Sequence, residues 1–220
     1  MKLDFSVVAN AWQTLIAGTL GTLYLAVFGM AIALLIGIAG VAILRAQKRI
    51  PTFLVNAFIE IIRNTPFLVQ IYFVFFALPL AGVRLNPTAT AIVALGLNGG
   101  AYAIEIIRGG VESISKGQTE AGLALGLHKH EVFYFIILKP ALRAIYPSLC
   151  SQFILLTLTT AICTSISAFE LTYVGQRIEA ETFRSFEVYF TLTLIYLLIS
   201  FMTMTMLNSI GRWAFNYPQR

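Results

Sequence analysis

The side chains that could carry out chemistry are few in this sequence, and their spacing does not build a catalytic site. His128 and His130 lie two residues apart, and no third ligand at metal-binding spacing accompanies them. The sequence has no Ser-His-Asp order, no paired carboxylates and no glycine-rich phosphate loop. We therefore expect neither an enzyme nor a metal site, and ion pairing and hydrogen bonding are the chemistry that remains.

Two pairs of opposite charges have helical spacing. Glu60 precedes Arg63 by three residues, and Glu105 precedes Arg108 by the same distance along the chain. Side chains three apart can meet on one helix face. Each pair is either a charged helix end at the inner headgroups or part of an inner gate or vestibule, and the sequence alone leaves both interpretations open.

Asn64, Thr65 and Pro66 follow the first pair and interrupt the helical pattern. Pro66 lacks a backbone N–H and disturbs the turn before it, so a bend is expected there. The bend is either a static kink or a point that moves during gating.

Polar side chains also recur at helical spacing within apolar segments. They serve either as hydrogen-bonding contacts between helices or as the lining of a polar route, because buried polar groups in lipid need partners or water. The predicted route is lined by Asn98, Tyr102, Gln152, Thr159, Thr160, Tyr196 and Ser200.

These residues must be positioned by helices that cross a membrane. Hydrophobic residues make up 58% of the 220 residues and charged residues only 11%, whereas soluble domains carry about 25% charged residues. Because about 20 helical residues cross a bilayer, we predict a single all-α domain of five spans. They cover about residues 12–44, 52–79, 87–107, 140–168 and 188–210.

Basic residues set the orientation. With the N-terminus outside, eleven of the 15 Lys and Arg residues fall on one side, and the other side keeps only Lys2, Arg84, Arg177 and Arg184. Cytoplasmic loops are the ones enriched in Lys and Arg. We therefore place the N-terminus in the periplasm and the C-terminus and loop 108–139 in the cytoplasm. The same bias explains the net charge of +5. The sequence lacks the basic stripe with interleaved aromatic residues that would indicate nucleic-acid binding.

Loop 108–139 contains a short predicted helix. Ser115 and Gln118 fit a capping box, Glu120 lies where it could cap the positive helix end, and Gly126 fits a C-terminal stop. The helix exposes leucines that have no evident partner in the chain, which is typical of a helix that docks in a groove of another protein. These residues are Leu123, Leu125 and Leu127.

The outer loop between the fourth and fifth spans is rich in charge. We predict that these charges lie at the rim, where a binding protein would dock, rather than at a ligand site. They are Glu170, Glu179, Glu181 and Glu187, with Arg177 and Arg184.

The run from Glu120-Ala121-Gly122 through Gly126 to Ile136 and Leu138 resembles the EAA loop of ABC importer permeases. The segments 60–70, with Arg63-Asn64-Thr65-Pro66, and 101–110 are similar to the polar amino-acid branch of that family, as is the run 169–172. This resemblance implies a type I importer permease in the bacterial inner membrane. It assigns ATPase coupling to Glu120, Ala121, Gly122, Leu123, Gly126 and Leu127.

The resemblance also implies partners. These are a cytoplasmic ABC ATPase dimer that binds ATP and Mg²⁺, a periplasmic substrate-binding protein, and a second permease that is a similar chain or a second copy. This chain itself would need no cofactor.

Two positions depart from the family pattern. Lys139 precedes Pro140 where the family usually has Leu-Pro-Gln, and Thr159 stands where relatives often have an aspartate that in some of them contacts a cationic substrate. The transported amino acid therefore stays open.

Three other classes of protein are alternatives for such a sequence. A secondary transporter or channel for small polar solutes needs acids in mid-membrane, but here the acids lie at span ends. A membrane-embedded enzyme needs a catalytic motif within the spans, and a purely structural subunit would assemble without an ATPase. An ATP-driven permease for a polar amino acid fits the residues best.

Overall fold

The computed structural model describes residues 3–215, and the secondary structure in that part of the chain is helical throughout. The α-helices are α1 Ser6–Asn10, α2 Trp12–Arg45, α3 Arg49–Arg63, α4 Phe67–Leu80, α5 Pro87–Glu112, α6 Lys116–Ala124, α7 Lys129–Glu131, α8 Leu138–Thr159, α9 Leu171–Thr182 and α10 Ser185–Ala214. A π-helical segment, Val132–Ile137, joins α7 to α8, and a 3₁₀ segment, Thr160–Ile166, continues α8. Lys2 and Arg220, which entered the predicted orientation, lie outside the described residues.

Within residues 3–215, four continuous helical runs are long and apolar enough to cross a membrane. They are Trp12–Arg45, Pro87–Glu112, Lys129–Ile166 and Ser185–Ala214. The consecutive helices α3 and α4 supply a fifth crossing if they are taken together as one bent span. The predicted all-α membrane bundle is confirmed.

Small residues let α2 and α5 pack backbone against backbone. A Cβ atom added at Gly29 would lie 2.9 Å from Cβ of Leu95, and one at Gly37 would lie 2.8 Å from Cβ of Ala103. Ala33 is fully buried in the same interface. Small residues at four-residue spacing allow helices to approach closely in lipid, and α2 and α5 form the central pair of the bundle.

The bend expected within the second span is present, and it divides the span into two helices. Helices α3 and α4 meet at 116° across Asn64, Thr65 and Pro66, which is far more than a kink. Pro66 has φ −64° and ψ 138°, so the chain is extended where the helix would have continued. The pyrrolidine ring and the missing N–H account for the break.

The predicted loop 108–139 is largely helical in the structure. Helix α5 continues to Glu112 and α6 covers Lys116–Ala124. From Lys129 the helical structure runs unbroken into α8, well before the expected start of the fourth span at residue 140. The π-helical segment ends just before Pro140, which has no N–H to donate to the carbonyl of Ile136. A wider turn accommodates this defect, and the displaced proline therefore changes the geometry directly upstream of α8.

The predicted outer loop contains α9, which packs against α2 and α10. Glu170 and Glu187 do not lie at the rim, because both are buried. Glu170 caps the start of α9, and Glu187 accepts a hydrogen bond from the backbone N–H of Asp4 at 2.9 Å. Arg177 and Glu181 remain exposed.

Candidate functional site

Helix α6 is the candidate docking element. Ser115 is its N-cap residue in extended conformation but makes no side-chain cap hydrogen bond, so the predicted capping box is wrong. Glu120 lies exposed in the middle of the helix and does not cap it. The helix ends as predicted, since Gly126 adopts φ +84°. The N–H of Leu127 donates to the carbonyl of Gly122 at 3.2 Å, and the N–H of Gly126 donates to that of Leu123 at 3.0 Å.

One face of α6 is fixed to the bundle. A Cβ atom at Gly122 would lie 2.6 Å from Cδ1 of Ile136 and 2.9 Å from Cγ2 of Val132, so only glycine permits this contact. Leu127 packs against the cluster around Val132, which corrects the expectation that it has no partner within the chain. The rest of the helix is open, and Leu123 is 41% and Leu125 is 81% exposed. Ala121 is exposed beside them.

The second candidate site is a chain of charges at the α3 and α4 bend. Nη1 of Arg63 lies 3.2 Å from Oε2 of Glu105, and Nη2 of Arg108 lies 2.9 Å from the same oxygen. Arg108 also pairs with Glu112 at 3.6 Å. The predicted contact between Glu105 and Arg108 is confirmed.

The predicted contact between Glu60 and Arg63 is wrong. Glu60 instead accepts a hydrogen bond from Nδ2 of Asn64 at 2.9 Å. The Arg63 guanidinium turns toward α5, where its Cζ atom also lies 5.7 Å from the centre of the Tyr102 ring. The charge of Arg63 therefore joins two helices.

Gln70 is a residue of this site that the sequence analysis missed. Its Nε2 donates to the carbonyl of Ile62 at 2.7 Å and to the carbonyl of Thr65 at 3.0 Å. Its Oε1 accepts from Nδ2 of Asn98 at 2.9 Å. Gln70 thus satisfies carbonyls left open by the bend and ties the bend to α5. A long amide one helical turn after Asn64-Thr65-Pro66 is the signal that could have indicated it.

The predicted route residues do not form one lining. Asn98 and Tyr102 lie at the bend, whereas Tyr196 lies against α9. The hydroxyls of Thr159 and Thr160 donate to carbonyls of their own helix, those of Leu155 and Thr157. Gln152 and Ser200 are half-buried in α8 and α10.

A buried polar junction surrounds Glu170. Its carboxylate accepts from the N–H of Tyr173 at 2.6 Å, from the N–H of Thr172 at 2.9 Å and from the Tyr196 hydroxyl at 2.9 Å. The next residue, Leu171, donates its N–H to Thr22 of α2 at 3.2 Å. Burial raises the pKa of Glu170 above its ordinary value, although these hydrogen bonds oppose the shift.

A cavity of about 310 Å³ opens beside this junction, between the end of α8, α9 and α10. Its polar groups are all hydroxyls and it carries no charged side chain. It is lined by Leu158, Ala161, Thr172, Tyr189, Leu192, Thr193 and Tyr196. Most of the lining is apolar, and each hydroxyl already has a hydrogen-bond partner within the chain. Because no carboxylate lines the cavity, it offers no counter-charge to a cation. Within residues 3–215, no three His, Cys, Asp or Glu side chains are grouped to hold a metal ion.

The chain matches known proteins over nearly its whole length. It is 39% identical to the glutamine transport system permease protein GlnP of Escherichia coli K12, over 96% of this chain and 98% of that protein. It is 33% identical to the L-cystine transport system permease protein TcyB of Bacillus subtilis, over 87% of this chain and 82% of that protein.

Solved structures agree with these relatives. One chain of an amino acid ABC transporter crystallised with histidines matches with a TM-score of 0.90 and 28% identity, over 96% of this chain and 99% of that one. A chain of the MetNI methionine ABC transporter has the same fold, with a TM-score of 0.69 and 20% identity over 94% of this chain and 95% of that one. The family described as binding-protein-dependent transport system inner membrane component matches residues 29–215. The resemblance drawn from the loop motif is confirmed, and the chain belongs to this family of ABC importer permeases.

Proposed function

We propose that this permease subunit carries an uncharged polar amino acid across the bacterial inner membrane, driven by ATP hydrolysis transmitted through α6, which we name the coupling helix. Membership in the family makes the chain a non-enzymatic transport subunit, and the ATPase is a separate protein. ATP and Mg²⁺ then belong to the ATPase dimer.

The observation that carries the proposal is the one-sided packing of the coupling helix. Gly122 brings it against Val132 and Ile136, while Leu123 and Leu125 stay open. Exposed leucines on a short helix suit a hydrophobic groove of a partner. The bias of basic residues supports a cytoplasmic position for this end and a periplasmic N-terminus.

The substrate class follows from the cavity and from the relatives. The lining of the cavity has hydroxyls but no carboxylate, and Thr159 supplies no acid on α8. The glutamine permease relative matches 96% of this chain. The bend, with Arg63, Glu105 and Arg108, is the proposed inner gate, because the ion pair of Arg63 with Glu105 joins two helices there.

The complex needs further subunits. A second permease, either a similar chain or a second copy, would complete the route, and a periplasmic binding protein would deliver the amino acid. We treat residues 1–220 as one permease domain.

Gly126→Val tests the coupling. In proteoliposomes holding the complete complex, L-glutamine and a panel of polar amino acids would be followed together with ATP hydrolysis. Because a β-branched residue cannot readily adopt the φ of +84° at Gly126, the end of the coupling helix should shift. Uptake should then fall while the ATPase still turns over.

Gly82→Val is the matched control. Gly82 has φ +82° and equally open surroundings, but it lies at the opposite end of α5. The substitution Gly82→Val therefore introduces the same backbone strain at a position away from the coupling helix. Normal coupling in Gly126→Val, or uptake by the wild-type complex without ATP, would contradict the proposal, and the latter would indicate a secondary transporter.

A further inference from the structure

We propose that Arg45 is a positioning residue for coupling, which connects the coupling helix to the α2 and α5 pair through the ring of Phe133. This inference rests on the proposed function of the coupling helix. It adds a second connection, beyond the direct continuation of the π-helical segment into α8.

The contact joins the end of a span to the π-helical segment. Arg45 is the last residue of α2, and its Cζ atom lies 4.7 Å from the centre of the Phe133 ring. A guanidinium at this distance over an aromatic face is attracted by the negative face of the ring. The contact therefore has a preferred geometry, unlike a charge that only faces water or headgroups.

The same π-helical segment holds the coupling helix on another side. Val132 and Ile136 contact Gly122, and Val132 is almost completely buried. Phe133 follows Val132 directly in the chain. A displacement of the coupling helix has to move Val132, so the ring under Arg45 moves with it.

The π-helical geometry favours such a role. A π-helical turn inserts a defect in an α-helix and often marks a functional site. Here it ends at Ile137, three residues before Pro140, which cannot complete the α-helical hydrogen bond to Ile136. The segment can therefore rearrange with a smaller loss of backbone hydrogen bonds than an uninterrupted α-helix.

The connection reaches the proposed gate through the central pair. Helix α2 packs against α5 through Gly29 and Gly37, where no larger residue fits without rearrangement. Helix α5 carries Glu105, which holds Arg63 at the bend. Movement of Arg45 would thus be passed to α2, to α5 and to the gate.

The test compares Arg45→Gln and Phe133→Leu in the complete complex in proteoliposomes. The measured quantity is the number of amino acid molecules imported per ATP hydrolysed, using the amino acid that the wild type carries best. Each variant should assemble and hydrolyse ATP, with a ratio lowered about two- to tenfold, the range expected for one lost cation–π contact. The double variant should have the same ratio as the more impaired of the two single variants, because both substitutions remove the same contact.

Two further variants distinguish loss of the ring contact from loss of positive charge and from failure to fold. Lys48→Gln removes another exposed cation of the same turn, and it should leave the ratio unchanged. Phe133→Tyr keeps the ring face and should also remain coupled, even if Phe133→Leu fails to assemble.

Three results would overturn the inference. The first is an unchanged import ratio in Arg45→Gln, and the second is additive losses of the ratio in the double variant. The third is a loss in Lys48→Gln equal to that in Arg45→Gln, which would assign the effect to attraction between the basic residues and lipid headgroups. All three leave the proposed function intact as long as the wild-type complex couples uptake to ATP. Uncoupled wild-type uptake would instead contradict the proposed function itself.

Discussion

Arg63 on α3 and Glu105 on α5 form an ion pair of 3.2 Å between Nη1 and Oε2, although they are 42 residues apart in the chain. Arg108 shares the same acid within α5. One carboxylate therefore receives a bond within its helix and another from a neighbouring helix. Only the second of these can resist a change of the angle between the helices.

Arg63→Gln should change transport more than stability. The side chains of Arg63 and Glu105 are 42% and 26% exposed, and pairs with such access to solvent contribute about 1 kcal/mol or less. We expect a nearly unchanged melting temperature and a change of about two- to fivefold in the rate of uptake, which corresponds to that energy. Arg108→Gln should change uptake less, because it removes only ion pairs within α5, those with Glu105 and Glu112. Equal effects of both variants on uptake would contradict the gate.

Gly110→Ala should weaken the packing of α5 on α8. An added Cβ would overlap Cγ2 of Ile145, whereas a Cβ at the adjacent Gly109 would meet nothing within 4 Å. Overpacking of this kind costs about 1–3 kcal/mol. The melting temperature in detergent should fall for Gly110→Ala and hold or rise for Gly109→Ala. The same melting temperature for both variants would show that this interface is looser than the structure indicates.

Glu170 should make stability depend on pH. Because burial raises its pKa in the folded state above the ordinary value of 4.5, the folded protein binds this proton more tightly than the unfolded chain does. The contribution of Glu170 to stability is therefore fully present below pH 4.5 and is lost as pH rises through the raised pKa. Glu170→Gln should flatten this dependence of the melting temperature, while Glu181→Gln, at an exposed position, should not. A variant that retains the full wild-type slope would refute the assignment.

Gly122→Ala should loosen the coupling helix. The added methyl would lie 2.6 Å from Cδ1 of Ile136 and 2.9 Å from Cγ2 of Val132, so these side chains or the helix itself must shift. Co-purification of the ATPase should weaken, because the exposed leucines would be displaced from their groove. Gly117→Ala lies on the same helix with nothing within 4 Å, and it should retain the ATPase. Full retention by both variants would argue against a precise fit of this helix.

Local spacing predicted the features that neighbouring residues determine. Length and hydropathy indicated the spans, the three-residue spacing gave the contact of Glu105 with Arg108, and Gly126 marked the end of α6. The partner of Arg63 was wrong because helical periodicity reports only side chains on one helix. Whether Arg63 turns to its own helix or to α5 depends on the angle of the bend, which no local pattern specifies.

Burial of Glu170 was unpredictable for the same reason. A charged residue between two spans is normally exposed, and its partner Tyr196 comes close only after α9 and α10 have packed. Its spacing to Tyr173 does match an N-terminal cap. That signal is local, and it could have placed the start of α9.

The bend between α3 and α4 has a consequence for the surrounding lipid. Helix α4 contains 14 residues, so at the usual rise it is about 21 Å long. The hydrocarbon layer of a bilayer is about 30 Å thick, and Phe73, Phe76 and Leu80 of α4 face outward from the chain. Helix α4 therefore covers only about two thirds of this layer, and the remainder of the bent crossing falls to α3. Because a short apolar segment is accommodated most easily where the bilayer is thin, membranes of short-chain lipids should favour the sharp bend.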